Sequence, residues 1–305
     1  MPIGVSGFIY LFGFKITSVI DYLAIGTVTE DVWKDGITPG GTVMYSARTA
    51  RSFVQNVTVV SPVASSFDME GTFPGITVHR IASPNTTQFE NIYEKTIVNG
   101  EVRSVRRQVV RPSPVRLNAS HITPAFSHSA IVHLAPLCNE IDADILGKFD
   151  ANTFIGCTPQ GWLRRWDAQG HVSQRGANWT DADAFFKRCN AVVLSIEDVM
   201  GDWAVVEDWA RRTPFMVVTV GADGCCAYIN GEMHHVAGYH ATEVDPTGAG
   251  DIFAATLFVA LQQRRYGDDV LCACRFANCI AAQSVTRPQL AGLPTADDMA
   301  KCKDC

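Results

Sequence analysis

The chain of 305 residues is long enough for one large α/β domain or two ordinary ones, and either arrangement buries a core that needs no disulfides or bound metals for stability. A content of 47% hydrophobic and 18% charged residues is typical of a soluble globular protein and argues against a disordered chain. The formal net charge of -6, with a single short basic run, gives no support for affinity for a phosphate backbone, so no nucleic-acid partner is expected.

The cysteines and the apolar start of the chain indicate a cytoplasmic protein. Ten cysteines are scattered without a regular framework, which favours mostly reduced thiols. Cys302 and Cys305 form a C-x-x-C with no second pair to complete a zinc site, so a frayed tail is expected there. The histidine spacings fit no standard metal site either, and structural or surface histidines are expected. Residues 2–14 lack a basic n-region and are too short to span a bilayer, so no membrane partner is expected.

The first third of the chain predicts buried strands around one helix. Residues 21–26 are an apolar run ending in glycine, as in a strand that delivers its carboxyl end to a site. Gly40 and Gly41 precede residues 42–53, where small and apolar residues recur at helical spacing. Further strands are predicted at residues 57–63 and 76–81.

The middle of the chain changes to alternation between residues 86 and 110, with Asn99-Gly100 between the two runs. This is a strong hairpin signal outside any βα repeat, so we predict a small β lid from segments near 32–40 and 86–112. Beyond it, short strand patterns alternate with helical ones, the strands falling at residues 130–134, 153–156, 191–194 and 215–220. Such alternation predicts one α/β domain, a doubly wound and mostly parallel sheet covered by helices on both faces.

The most informative segment is Asp245-Pro246-Thr247-Gly248-Ala249-Gly250-Asp251, which leads into an apolar helix. Glycines directly before a helix let several backbone N–H groups converge at its positive end, where an anion binds. A carboxylate in the first turn beside such a nest can accept a proton from a hydroxyl that attacks phosphorus. The alternative is that Asp251 merely caps the helix. The spacing excludes a P-loop and a dinucleotide fingerprint.

A second glycine turn, over residues 219–224, closes the predicted strand at 215–220. It is compatible with a nucleotide lying over the strand ends, and equally with an ordinary hairpin turn.

Residues 245–251 resemble the C-terminal signature of the ribokinase-like, or PfkB, carbohydrate and nucleoside kinases, and the resemblance covers nearly the whole chain. It implies a ribokinase-like fold and transfer of the γ-phosphoryl group of ATP to a hydroxyl of a small polyol, sugar or nucleoside. Asp251 corresponds to the family's catalytic base. The glycine segment that forms the family's anion hole corresponds to Gly248, Ala249 and Gly250. Asp31 matches the aspartate that binds substrate hydroxyls. Gly40 and Gly41 match the diglycine that hinges the lid and contacts substrate.

The resemblance also implies cofactor residues. The turn that touches the phosphate and ribose of ATP corresponds to Thr219, Gly221 and Gly224, with Thr247 in the signature. Asn278 and residues 284–287 resemble the border of the adenine site, a region that in some members also holds a monovalent cation. In place of an N-x-x-E pattern this chain has Ser195-Ile196-Glu197-Asp198. Asp198, with Glu197 beside it, is therefore expected to act on Mg²⁺ through water, and Ser195 replaces the asparagine.

The acceptor is the least constrained feature. Many sugar kinases carry an asparagine after the diglycine, where this chain has residues 42–46. Tyr45 and the segments 87–91 and 160–164 look most like the myo-inositol kinase branch, which makes Tyr45 and Gln160 expected substrate contacts. Pentose, hexose and nucleoside acceptors stay open, as do a non-catalytic sugar-binding protein with this fold and an oxidoreductase. Lid edges pair into dimers in some members, so a homodimer is also open.

Overall fold

The computed structural model describes residues 20–33, 36–98 and 101–303. The strands in these ranges are β1 (Tyr22–Gly26), β2 (Thr29–Trp33), β3 (Gly36–Gly40), β4 (Val57–Val63), β5 (Thr77–Ala82), β6 (Thr87–Val98), β7 (Glu101–Arg111), β8 (Ile131–Ala135), β9 (Phe154–Cys157), β10 (Arg164–Trp166), β11 (Val172–Gln174), β12 (Ala191–Ser195), β13 (Phe215–Thr219), β14 (Gly224–Ile229) and β15 (Glu232–Ala237). The α-helices are α1 (Thr42–Arg51), α2 (Met69–Thr72), α3 (Pro124–Ser127), α4 (Ala182–Arg188), α5 (Trp203–Ala210), α6 (Ala249–Gln262), α7 (Val270–Ser284) and α8 (Ala296–Lys301). Short 3-10 helices lie at Ala119–His121, Ala143–Lys148, Pro159–Gly161, Ile196–Val199, Gly221–Asp223 and Gln289–Gly292.

The main sheet has nine strands in the order β15-β14-β13-β12-β9-β8-β1-β4-β5. The neighbours from β13 to β5 are parallel, and only the β13–β14 and β14–β15 pairs are antiparallel. The predicted α/β class with a mostly parallel sheet is therefore confirmed. Strands β1, β4 and β8 are buried at every position, as expected for strands with helices on both faces.

The two faces of the sheet carry separate cores because successive side chains of a strand point in opposite directions. In β1, Tyr22 and Ala24 face the core that contains α1, α6 and α7, whereas Leu23 and Ile25 face the core that contains α4 and α5. Helix α6 is apolar all round and its residues 252–260 are buried, which fits its place between the sheet, α1 and α7. None of the helices in the described ranges has the length and apolar content to cross a membrane.

His133 confirms the structural role expected for a histidine in this core. It is fully buried and hydrogen-bonds the Tyr22 hydroxyl at 2.7 Å and the Thr158 hydroxyl at 3.0 Å. Burial lowers the pKa of its imidazole to about 3, so this side chain stays neutral.

A second, smaller sheet has the order β3-β2-β6-β7, and we call it the small sheet. Strands β2 and β6 are parallel, and the outer pairs are antiparallel. Its first segment begins at Thr29, earlier than the 32–40 expected from the sequence, so Asp31 lies in the small sheet and not at the end of a main-sheet strand. The hairpin of β6 and β7 has the predicted pairing, while Asn99 and Gly100 lie outside the described residues.

The C-terminal helix is fastened to α7, which corrects the expectation of a frayed tail at Cys302. Cys302 is 3% exposed and forms a disulfide with Cys279, 23 residues away. Arg287 adds an ion pair to the buried Asp298 at 2.6 Å. Seven further cysteines of the described ranges are free thiols, and Cys305 lies outside those ranges. A C-x-x-C pattern cannot reveal a partner on another helix, and so the sequence misplaced this residue.

Candidate active site

The amino end of α6 forms the centre of the site. Gly248 precedes the helix with φ 80° and supplies no side-chain cap. A Cβ on Gly248 would lie 2.3 Å from the Tyr45 ring, so both the backbone angle and the space require glycine. Ala249 already donates its N–H to Pro246 at 3.1 Å. The N–H groups of Gly250 and Asp251 have no carbonyl within the helix, and they are the ones suited to an anion.

Asp251 lies in the first turn of α6 with its carboxyl group largely enclosed. Burial raises the pKa of this carboxyl to about 7. The Thr42 hydroxyl, within hydrogen-bonding reach, and the charge of Arg164 oppose that rise, while the nearby Asp198 adds to it. A carboxylate with a pKa near neutrality is matched to general-base work, because it both accepts and releases a proton at physiological pH. Capping, the alternative reading, does not explain this environment, since Gly248 occupies the cap position.

Asp31 stands opposite, on β2 of the small sheet. Its carboxylate accepts the Thr29 hydroxyl at 2.8 Å. A Cβ on Gly40, in the paired strand β3, would lie 2.3 Å from an Asp31 oxygen, so Gly40 makes room for this carboxylate. Gly41 follows as the cap of α1 and leads directly to Thr42. The diglycine therefore links the strand paired with Asp31 to α1, whose Thr42 contacts Asp251.

A cavity of about 250 Å³ opens between the small sheet and the main body. Its walls come from β2, β3, α1, the helix-entry segment and the loop after α7, and its lining residues include Asp31, Trp33, Tyr45, Thr247 and Gln289. The Trp33 indole N–H donates to the Thr38 hydroxyl at 2.9 Å, which fixes the position of this cavity-lining ring. Thr247 donates its backbone N–H to the Asp245 carboxylate at 2.9 Å, which holds the segment before α6.

Tyr45 connects this cavity to the base. Its side chain is 4% exposed, and its ring touches the backbone of Gly248. Burial, together with the carboxylates of Asp251 and Asp31, raises the pKa of Tyr45 above its usual range, so the phenol stays protonated. A neutral phenol among carboxylates is a hydrogen-bond donor, as an acceptor-binding residue requires.

The two expected metal residues, Asp198 and Glu197, differ in burial. Asp198 is 5% exposed and accepts the Ser195 backbone N–H at 2.9 Å, while Ser195 in turn caps the Ile196–Val199 helix. Burial raises the pKa of Asp198, partly offset by that N–H and by Arg164. Glu197 is exposed. Gln160, expected to touch substrate, has its amide 3.5 Å from the Asp198 carboxylate.

One buried carboxylate with spare lone pairs suits Mg²⁺ held through water, because that ion keeps much of its hydration. Across the described ranges, no group of three or more His, Cys, Asp or Glu side chains gathers as a direct metal-ligand set. The donor chemistry at Asp198 thus fits the outer-sphere role and not a dedicated protein cage.

The second glycine turn follows β13. Thr219 ends that strand, and Gly221 and Gly224 both have positive φ, at 62° and 95°. Asn278, on α7, is buried and donates its amide to the carbonyls of Val236 and Ala237, each at 3.2 Å. Its amide nitrogen therefore holds β15 in place beside the turn, and its role at a nucleotide stays a prediction.

Sequence reasoning missed four residues of the site, namely Trp33, Thr42, Arg164 and Gln289. Thr42 reaches Asp251 only because α1 packs on α6, a contact that no local pattern reveals. Arg164 is 6% exposed although it is charged, and this burial is visible only in the structure. Gln289 has φ 44° in the loop after α7 and donates its N–H to Asp245 at 2.9 Å.

Comparison with known proteins gives three findings. Residues 177–296 match the pfkB family carbohydrate kinase, a range that includes β12 to α7 and the whole of the 245–251 segment. Inositol 3-kinase of Zea mays is 33% identical over 136 residues, which are 45% of this chain and 34% of that protein. Fructokinase of Escherichia coli is 25% identical over 181 residues, or 53% of this chain and 55% of that protein. The chain thus spans about a third of the inositol 3-kinase and about half of the fructokinase.

Solved structures match over almost the full length. A pyrophosphate-dependent kinase in the ribokinase family superposes with a TM-score of 0.72 at 18% identity, covering 92% of this chain and 99% of that one. Ribokinase from Thermotoga maritima superposes with a TM-score of 0.66 at 20% identity, covering 93% and 99%. At these identities the likeness concerns the fold alone.

Proposed function

We propose that this protein is an ATP-dependent kinase whose acceptor is a hydroxyl of a small polyol or sugar. The support is the match of residues 177–296 to the pfkB family carbohydrate kinase and the similarity of the fold to that of ribokinase. The observation that carries the proposal is Asp251, a carboxylate with a pKa of about 7 beside the open amino end of α6. Phosphoryl transfer needs a base for the attacking hydroxyl and donors for the charge on the moving group, and these two features supply both.

In the proposed reaction Asp251 takes the proton of the acceptor hydroxyl as its oxygen bonds to the γ-phosphorus and the bond from phosphorus to the β-phosphate oxygen breaks. The N–H groups of Gly250 and Asp251 donate to the oxygens of the phosphoryl group. Bound Mg²⁺ would neutralise charge on the donor phosphates, and Asp198 would hold it through water. Asp31 and Tyr45 bind the other hydroxyls, and the small sheet acts as a lid that keeps water from competing as acceptor.

We favour myo-inositol as acceptor. The support is the similarity to a plant inositol 3-kinase and a cavity that combines the Asp31 carboxylate with the Trp33 and Tyr45 rings. Aromatic faces suit the C–H side of a ring polyol, and a carboxylate suits its hydroxyls. The similarity to fructokinases makes a hexose the second candidate.

A coupled screen tests the proposal. Thermal shifts are measured with myo-inositol, fructose, ribose and adenosine in the presence of Mg²⁺ and an ATP analogue, and turnover is then measured with each acceptor. Because similar folds occur in pyrophosphate-dependent kinases, pyrophosphate is the comparison donor. We expect ATP-dependent phosphorylation of myo-inositol above the other acceptors. Absence of turnover across all acceptors with both donors would overturn the proposed function.

A further inference from the structure

Arg164 is a buried cation at the seam between the small sheet and the main body. It begins β10 and is 6% exposed, with its guanidinium carbon 5.6 Å from the centroid of the Phe89 ring. Phe89, on β6, is the register partner of Asp31 on the parallel strand β2. Arg164 therefore packs directly beneath the pair of strands that carries the substrate-facing aspartate.

The segment before Arg164 is held rigidly at the carboxyl edge of the main sheet. A Cβ on Gly161 would lie 2.3 Å from the Pro136 backbone, so the chain passes the end of β8 at the closest distance that a backbone allows. Arg175 adds a hydrogen bond from its Nε to the Arg164 carbonyl at 2.9 Å. Because the backbone around Arg164 is held in this way, its side chain does not have to reorganise when the reaction occurs.

The charge of Arg164 acts on two carboxylates at once. It opposes the raised pKa of Asp251 and that of Asp198. Asp251 is on the acceptor side of the transfer, and Asp198 is on the donor side, where it also contacts Gln160 at 3.5 Å. Arg164 is therefore within electrostatic range of both carboxylates, and its contact with the Phe89 ring places it between the small sheet and the main body.

We propose that Arg164 is a further catalytic residue of the proposed kinase reaction, its guanidinium contacting the phosphoryl group during transfer. The inference rests on the proposed function. In the transition state the negative charge spreads over the equatorial oxygens of that group, and the planar fork of arginine matches two such oxygens. A structural ion pair alone is the competing account, and it predicts loss of stability without a specific loss of turnover.

Arg165 provides the matched control, because it is adjacent, equally charged and exposed, with its Nε only 3.2 Å from the Ser173 hydroxyl. Arg164→Gln and Arg165→Gln are compared in kcat, in KM for ATP and the acceptor, in melting temperature, and in rescue by millimolar guanidinium. We expect Arg164→Gln to lower kcat on the order of 10²- to 10³-fold, as for loss of one transition-state donor, with partial rescue by guanidinium. Arg165→Gln should stay within about twofold of the unaltered enzyme, as a surface change does.

Arg164→Lys keeps the charge but not the fork, and it carries the test if Arg164→Gln does not fold. We expect kcat to fall by about tenfold while the acceptor KM is unchanged. The role of Arg164 would be overturned by kcat values near that of Arg165→Gln, or by losses that follow melting temperature alone and resist guanidinium. Inactivity of the unaltered enzyme and of Arg165→Gln would instead refute the proposed function, so the two failures are distinguishable.

Discussion

Replacing Asp251 by asparagine measures the cost of holding an ionised carboxylate at the start of α6. A pKa of about 7, against 3.8 for an unperturbed aspartate, corresponds to roughly 4 kcal/mol at about 1.4 kcal/mol per pKa unit. Because the residue is partly exposed, screening reduces the expected gain on substitution to about 2 to 3 kcal/mol. That gain should raise the melting temperature by about 5 °C at alkaline pH.

The pH dependence of the stability change shows whether the raised pKa of Asp251 causes it. Below the unfolded pKa the carboxyl is protonated in both states, and its raised native pKa has no effect. As the pH rises from about 4 to 7 the unfolded chain loses the proton first, so the native state loses stability, and the full cost is present above pH 7. Asp251→Asn should therefore stabilise the protein at pH 8.5 and give only about a quarter of that gain at pH 4.5. Urea denaturation at both pH values measures this difference.

Asp297→Asn, in the exposed first turn of α8, is the control, and we expect it to stay within about 0.5 kcal/mol at both pH values. An equal gain in the free energy of unfolding at pH 4.5 and at pH 8.5 would refute a raised native pKa for the Asp251 carboxyl. Loss of stability at pH 8.5 would refute it more directly, since it would mean that the native state favours the charged form.

Three further changes probe the surroundings of the base and the attachment of the C-terminal helix. Thr42→Val removes the hydroxyl beside it and should move the acidic limb of the kcat/KM profile to higher pH, whereas Thr42→Ser should restore the profile. Gly248→Ala brings a Cβ within 2.3 Å of the Tyr45 ring, so it should abolish activity and lower the free energy of unfolding by several kcal/mol. Gly267→Ala is the control, because Gly267 also has a positive φ but open space around it. Denaturation should show a loss of about 1 kcal/mol for this control. Cys302→Ser opens the disulfide and should lower stability by about 2 to 4 kcal/mol in urea under oxidising conditions; an unchanged midpoint would contradict a formed bond.

The sequence predicted those parts of the molecule that depend on local patterns. The sheet class and the family resemblance are confirmed, since buried strands, the hairpin alternation and the 245–251 segment each show themselves within a few residues. The roles of the site residues stay predictions. The cap position of Gly248 and the open amino end of α6 follow from the same short segment and agree with them.

Contacts between distant segments could not be predicted in this way. Thr42 reaches Asp251 through helix packing, Gln160 reaches Asp198 through the approach of two loops, and Cys302 finds Cys279 on another helix. Each contact joins elements whose separation depends on the whole fold. A single sequence carries no direct record of such distances, and for that reason only the structure shows that Gln160 lies beside Asp198.

The central claim is that the Asp251 carboxylate activates an acceptor hydroxyl. Its most direct test is the rate of phosphoryl transfer from ATP to myo-inositol by the unaltered protein and by Asp251→Asn, with ATP affinity measured on the same samples. The account predicts that the variant binds ATP normally and turns over about 10² to 10⁴ times more slowly. Turnover close to that of the unaltered protein would contradict it.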